Sequence, residues 1–100
     1  MALKTSKWDS AEHLQTKEDI ALYLEACLEE AGDDADFITK ALGNVARAQG
    51  MGQLATDTGL GRESLYKSLS GDGNPSFATI VKVLHALGMR LHIEAIPEVA

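Results

Sequence analysis

Apolar residues recur along most of this chain at intervals of three and four, and that spacing predicts helices. Ile20, Tyr23, Leu24, Cys27, Leu28 and Ala31 share one helical face. Thr16 stands before them, where its side chain can accept hydrogen bonds from the free N–H groups of a first turn. Glu18 and Asp19 suit the positive end of that helix, and Gly32 is placed to end it. Asp33, Asp34 and Asp36 open a second helix carrying Phe37, Ile38, Ala41, Leu42, Val45 and Ala46, which Gly50 stops. Further on, Gly71-Asp72-Gly73-Asn74-Pro75 is a loop. Ser76 then caps a helix with Phe77, Ile80, Val81, Leu84 and Leu87 inward and Gly88 at its end.

At Met89 the period changes. Met89, Leu91 and Ile93 alternate with Arg90, His92 and Glu94, the pattern of a half-buried strand over residues 89–96 that Pro97 closes. A lone strand leaves its backbone groups unpaired. It needs a second copy of the chain, another protein, or the Lys4–Trp8 stretch alongside it. A homodimer joined through Arg90, Leu91, His92, Ile93 and Glu94 is the favoured solution.

Between the second and last of these helices lies Met51-Gly52-Gln53-Leu54-Ala55-Thr56-Asp57-Thr58-Gly59-Leu60-Gly61-Arg62-Glu63-Ser64-Leu65-Tyr66-Lys67-Ser68-Leu69. It reads as two short helices around a tight turn. Ala55 lets the helices cross closely, Gly59 allows a left-handed backbone, and Leu60 plugs the turn into the core. Leu65 and Leu69 pin the inner face of the second helix. Arg62, Glu63, Tyr66 and Lys67 are left outward, the arrangement of a helix-turn-helix that enters a major groove.

Residues 1–15 show no period and read as an arm, with 16–50, 51–70, 76–88 and 89–96 completing one domain of 100 residues. Such a chain buries only about two-thirds of its unfolded surface, a thin margin that pairing would widen. The 45% apolar content argues against disorder. No apolar run reaches the roughly 18 residues of a membrane span, and no secretory h-region follows Met1. The single Cys27 forms no internal disulfide, so a cytoplasmic protein is expected. The net charge of -6 is uneven: residues 1–48 hold ten acids and five bases, whereas 49–88 hold three of each. The middle can therefore meet phosphate locally, while the first half suits a basic partner or simply solubility.

Leu54-Ala55, Gly59-Leu60 and Leu65 resemble the frame of the Xre/Cro-type helix-turn-helix family. A wider resemblance runs through Trp8-Asp9, residues 20–24, 41–51 and 59–66, Gly73-Asn74-Pro75-Ser76-Phe77 and Ala86-Leu87-Gly88-Met89. In these stretches the chain is similar to the HigA-related addiction module antidotes, antitoxins encoded beside RelE/HigB-like toxins. The resemblance implies a bacterial antitoxin that neutralises a basic, RNA-cleaving toxin and represses its own operon. It departs from the Xre/Cro pattern at Met51, where Gln is common, so that Gln53 takes over the backbone contact. Gly61 stands where Ser or Thr usually caps the reading helix.

The expected DNA-binding residues are Gln53, Gly61, Arg62, Glu63, Ser64, Tyr66, Lys67 and Asn74. Arg62 either lies on guanine O6 and N7 or meets phosphate. Glu63 accepts from cytosine, orients Arg62, or serves the positive end of the helix. Lys67 meets phosphate, Ser64 a base edge or phosphate, and Tyr66 a thymine methyl or sugar unless it is partly core. Asn74 meets phosphate or is a plain turn residue. So few bases favour a homodimer reading two half-sites of a palindromic double-stranded operator about 34 Å apart. Toxin contacts are expected from Trp8, Leu14 and Tyr23 among the acids.

Catalysis is not expected. His13, His85 and His92 have no metal-ligand spacing, Cys27 lies on an apolar helix face, and no glycine loop cradles phosphate. The expected fold is mainly α: a five-helix Xre/Cro-like domain with an extended N-terminal arm and one C-terminal β-strand, without metal or cofactor. Two other roles fit the same residues: a prophage-type regulator with no toxin, and an interaction module that does not bind DNA.

Overall fold

The computed structural model describes residues 15–70 and 72–97. It holds α1 (Lys17–Ala31), α2 (Ala35–Gln49), α3 (Met51–Thr58), α4 (Arg62–Ser68) and α5 (Phe77–Ala86). The five helices stand where the apolar spacing puts them.

Each start has a local cause. At α1 the Asp19 N–H donates to Thr16 Oγ1 at 3.0 Å, and the Thr16 N–H donates back to Asp19 Oδ2 at 3.3 Å. That reciprocal pair satisfies donors that no helical carbonyl can reach. Asp34 Oδ1 accepts from the Phe37 N–H at the start of α2, and Ser76 Oγ from the Thr79 N–H at the start of α5. Gly50, with φ 106°, ends α2 and begins α3 in a single residue.

α1 lies on α2, and α3 packs on α2, α4 and α5. The core joins Ile20, Tyr23 and Cys27 of α1 to Ala41, Leu42, Val45 and Ala46 of α2. Met51, Leu54, Leu65, Leu69, Val83 and Leu87 complete it from the other side. Gly43 is buried where α2 passes the end of α4, and a Cβ there would run into the Leu69 carbonyl. Hydrogen in place of a methyl is what lets these two backbones approach. Among the described residues no buried side-chain nitrogen or oxygen lacks a hydrogen-bond partner.

α5 ends in a Schellman motif. The Met89 N–H donates to the Leu84 carbonyl at 2.8 Å and the Gly88 N–H to the His85 carbonyl at 3.0 Å. Gly88 has φ 82°, the left-handed conformation this closure requires. Met89 packs on the core, and from Arg90 onward every described residue is exposed.

The strand expected over 89–96 is not formed. Among the described residues there is no strand, and none of 90–97 makes a backbone hydrogen bond. The reason is physical. An extended segment gains ladder bonds only from a neighbour, and none of the described residues pairs with it; the Lys4–Trp8 stretch lies outside them.

Candidate nucleic-acid interface

The turn between α3 and α4 is built by three residues and one hydroxyl. Gly59 takes the left-handed conformation at φ 75°, and its N–H reaches the Ala55 carbonyl at 2.9 Å. Thr58 Oγ1 donates to the Leu54 carbonyl at 2.8 Å and accepts from the Leu60 N–H at 3.2 Å. Leu60 packs against the core, as its place in the motif requires. Gly61 precedes α4 in an extended conformation with no side-chain cap. The Thr58 latch escaped the sequence reading, although a threonine one residue before a turn glycine is a local hydrogen-bonding signal.

The two faces of α4 differ sharply. Leu65 and Leu69 have no exposed surface, whereas Arg62, Glu63, Ser64 and Lys67 are exposed. Tyr66 is 45% exposed, outward yet leaning on its neighbours. The 72–75 loop lies tight against the end of α4, since a Cβ on Gly73 would strike the carbonyls of Lys67 and Ser68. That approach makes a shallow concavity lined by Ser64, Lys67, Ser68, Gly73 and Asn74. Two serines, a lysine and an asparagine thus border one depression, and side chains of these types can donate to a phosphate oxygen. Ser68 was not singled out in sequence. Its spacing of four from Ser64 is the signal that places both on one side of α4.

Gln53 is exposed on α3, with its Nε2 donating to Asp57 Oδ1 at 2.9 Å. Met51 is buried in the core, so its departure from the common Gln serves packing.

The expected toxin contacts divide. Trp8 and Leu14 lie outside the described residues. Tyr23, expected to meet a partner, is only 5% exposed and belongs to the core. Its hydroxyl accepts from Asn44 Nδ2 at 3.2 Å, and Arg47 donates to Asn44 Oδ1 at 2.6 Å. This chain of side chains stitches α1 to α2 and satisfies the phenol where water cannot. The outward face of α1 carries Glu18, Leu22, Glu25 and Glu29 instead, opposite Ile20, Tyr23 and Cys27. Leu22 is 61% exposed in the middle of these acids. At the other terminus, Arg90 to Glu94 are all exposed, and His92 Nε2 stands 4.0 Å from Glu94 Oε1.

Among the described residues, no group of three or more His, Cys, Asp or Glu side chains is placed to hold a metal ion. No described helix is long and apolar enough to cross a membrane.

Among the described residues, a helix backed by buried leucines thus stands beside a shallow depression lined by Ser64, Lys67, Ser68, Gly73 and Asn74. The chain belongs to a family described as probable addiction module antidote protein, whose profile matches residues 4–95. It is similar to an uncharacterized protein of Haemophilus influenzae, 47% identical over 94 residues, which cover 94% of this chain and 95% of that one. No solved structure matches the chain.

Proposed function

We propose that this chain is the DNA-binding antitoxin of a bacterial type II toxin–antitoxin module. On this reading it is HigA-related, neutralises a RelE/HigB-like toxin, and represses its own operon as a homodimer on a palindromic operator. It acts in the cytoplasm by binding rather than by catalysis. α3 and α4 form an Xre/Cro-type helix-turn-helix, with α4 as the reading helix. The observation that carries this is the two-sidedness of α4: Leu65 and Leu69 wholly buried, Arg62, Glu63, Ser64 and Lys67 wholly outward. Membership of the antidote family supplies the toxin.

Arg62 and Glu63 open α4, and they are the residues assigned to base edges. Ser64, Lys67 and Asn74, gathered around the depression, are assigned to phosphate and to fixing register. Gln53 meets the backbone once its amide leaves Asp57. Toxin binding is assigned to the acidic first half: Trp8 and Leu14 of the arm, with Leu22, Glu25 and Glu29 of α1 in place of Tyr23. Opposite charge speeds encounter with a basic toxin, and the leucine supplies an apolar anchor.

Band shifts on the DNA upstream of the protein's own gene test the reading. The unaltered chain is expected to shift it, and Arg62→Ala with Lys67→Ala to weaken binding by roughly 100-fold. Unchanged affinity in that double variant would reject α4 as the reading helix. Co-purification with the product of the neighbouring gene tests the other half, and Leu22→Lys with Glu25→Lys is expected to abolish it.

A further inference from the structure

The described C-terminal tail, residues 90–97, is exposed throughout, and its residue order carries a symmetry that its single-chain conformation does not use. Around His92 the order is Arg90-Leu91-His92-Ile93-Glu94. Two such segments laid antiparallel, with His92 facing His92, put Arg90 of each copy opposite Glu94 of the other. Leu91 then meets Ile93. Both ion pairs are cation to anion and both apolar pairs are branched aliphatic, so the segment is its own complement. A two-fold interface demands this property, because residue i must suit j while j suits i. Parallel, in-register pairing would set Arg90 against Arg90 and Glu94 against Glu94.

A second observation says where the apolar face goes. Met89, Leu91, Ile93 and Ala95 fall on one side of an extended chain, with Arg90, His92 and Glu94 on the other. Met89 is packed on the core, Leu91 is 51% exposed and Ile93 is 92% exposed. The stripe therefore begins inside the protein and runs out of cover two residues later. An antiparallel second copy sets its own Ile93 beside Leu91 and its Ala95 beside Met89. Each copy thus extends the apolar stripe of the other, and the two helical bodies give the ribbon something to pack on, without which two strands are marginal in water. The Schellman turn at Gly88 fixes where the segment leaves α5. His92 Nε2 stands 4.0 Å from Glu94 Oε1, so these two polar side chains share a side of the segment.

We propose that two copies of this chain join through residues 89–95 as an antiparallel ribbon centred on His92, with Arg90 of each copy paired to Glu94 of the other. The proposal rests on the homodimer of the functional reading and gives it a register. The segment is a strand only in the dimer, which is why the described residues of the single chain show none.

Sedimentation of the full chain, without DNA or toxin, decides it. The unaltered protein is expected to be a dimer. Arg90→Glu and Glu94→Arg, each alone, set like charges opposite each other twice and raise the dimer dissociation constant about tenfold. The two together restore the opposite pairs and return the constant to that of the unaltered chain. His92→Cys should form a covalent dimer on mild oxidation, because residue 92 faces itself, whereas Arg90→Cys should not. The native Cys27 is buried and does not compete. A double reversal as weak as the singles overturns the register, as does a cross-link at 90 and not at 92. A monomeric unaltered protein, or single reversals without effect, overturns the tail as the interface. These residues lie outside the core, so helix content by far-ultraviolet circular dichroism at low temperature should not change, which separates lost pairing from lost folding. A failed band shift leaves this result untouched, and a dimer of another register leaves the DNA reading untouched, whereas a monomer counts against both.

Discussion

The thiol of Cys27 sits on the inner face of α1, where burial pushes its pKa above the ordinary 9.0. A hydrogen bond with Tyr23 opposes that rise, and the charge of Glu30 adds to it. The native state therefore favours the protonated thiol more than the unfolded chain does. The sign follows: its contribution to stability is complete below about pH 9 and is lost as pH climbs through the raised native value. Urea midpoints measured between pH 8 and 11 should fall more steeply for the native chain than for Cys27→Ala, though the variant starts lower. An aromatic disulfide reagent should label Cys27 no faster than the protein opens. The same neighbourhood shows what was legible at this scale. The spacing of three between Ile20 and Tyr23 already put the phenol inward, while its aromatic character invited a surface role. Periodicity was the better guide, because one helix face must be buried before any contact can be made. The Asn44 and Arg47 partners were not legible, since they depend on how α2 is turned against α1.

Among the described helices, α4 is the shortest, with seven residues, and no side chain caps its start. Gly61 has φ -69° and ψ 144°, which any residue adopts, and a Cβ there would lie 3.8 Å from Ser64 Oγ, an ordinary contact. Gly61→Ser should therefore stabilise the protein by roughly 0.5–1 kcal/mol, through a new cap and a less flexible unfolded chain. A raised urea midpoint checks this, and an unchanged one would mean that α4 does not limit stability. The helices were readable because each carries its own start, stop and inner face in local sequence. The tail was read as a strand for a related reason. Alternation states which side would be buried, but it says nothing of whether a neighbour is present to complete the ladder.

For the molecule as a whole, charge and assembly pull together. Acids gather on α1 and the start of α2, while the α3–α5 half is near neutral. One copy thus offers few cations to phosphate, and on the proposed reading operator affinity comes from two copies at once. Inserting about five base pairs between half-sites turns one by half a helical turn and should abolish cooperative binding, while about ten should restore much of it. Band shifts on such operators measure this, and indifference to spacing would mean that each copy binds alone. The surface proposed to meet DNA was legible from the motif. The surface proposed to meet the toxin was not, because that proposal takes in an arm outside the described residues and a helix face with no motif of its own.

The close approach at Gly43 has a consequence for how the outer surface is aimed. The carbonyl of Leu69 rests on α2 with only a hydrogen between, so the far end of α4 is seated on bare backbone rather than on a side chain that could give way. A methyl inserted there would act as a shim under a lever, tilting Arg62 and Lys67 together while every group on the outer edge stayed chemically the same. The pitch at which α4 is presented is thus written at a buried position away from that edge.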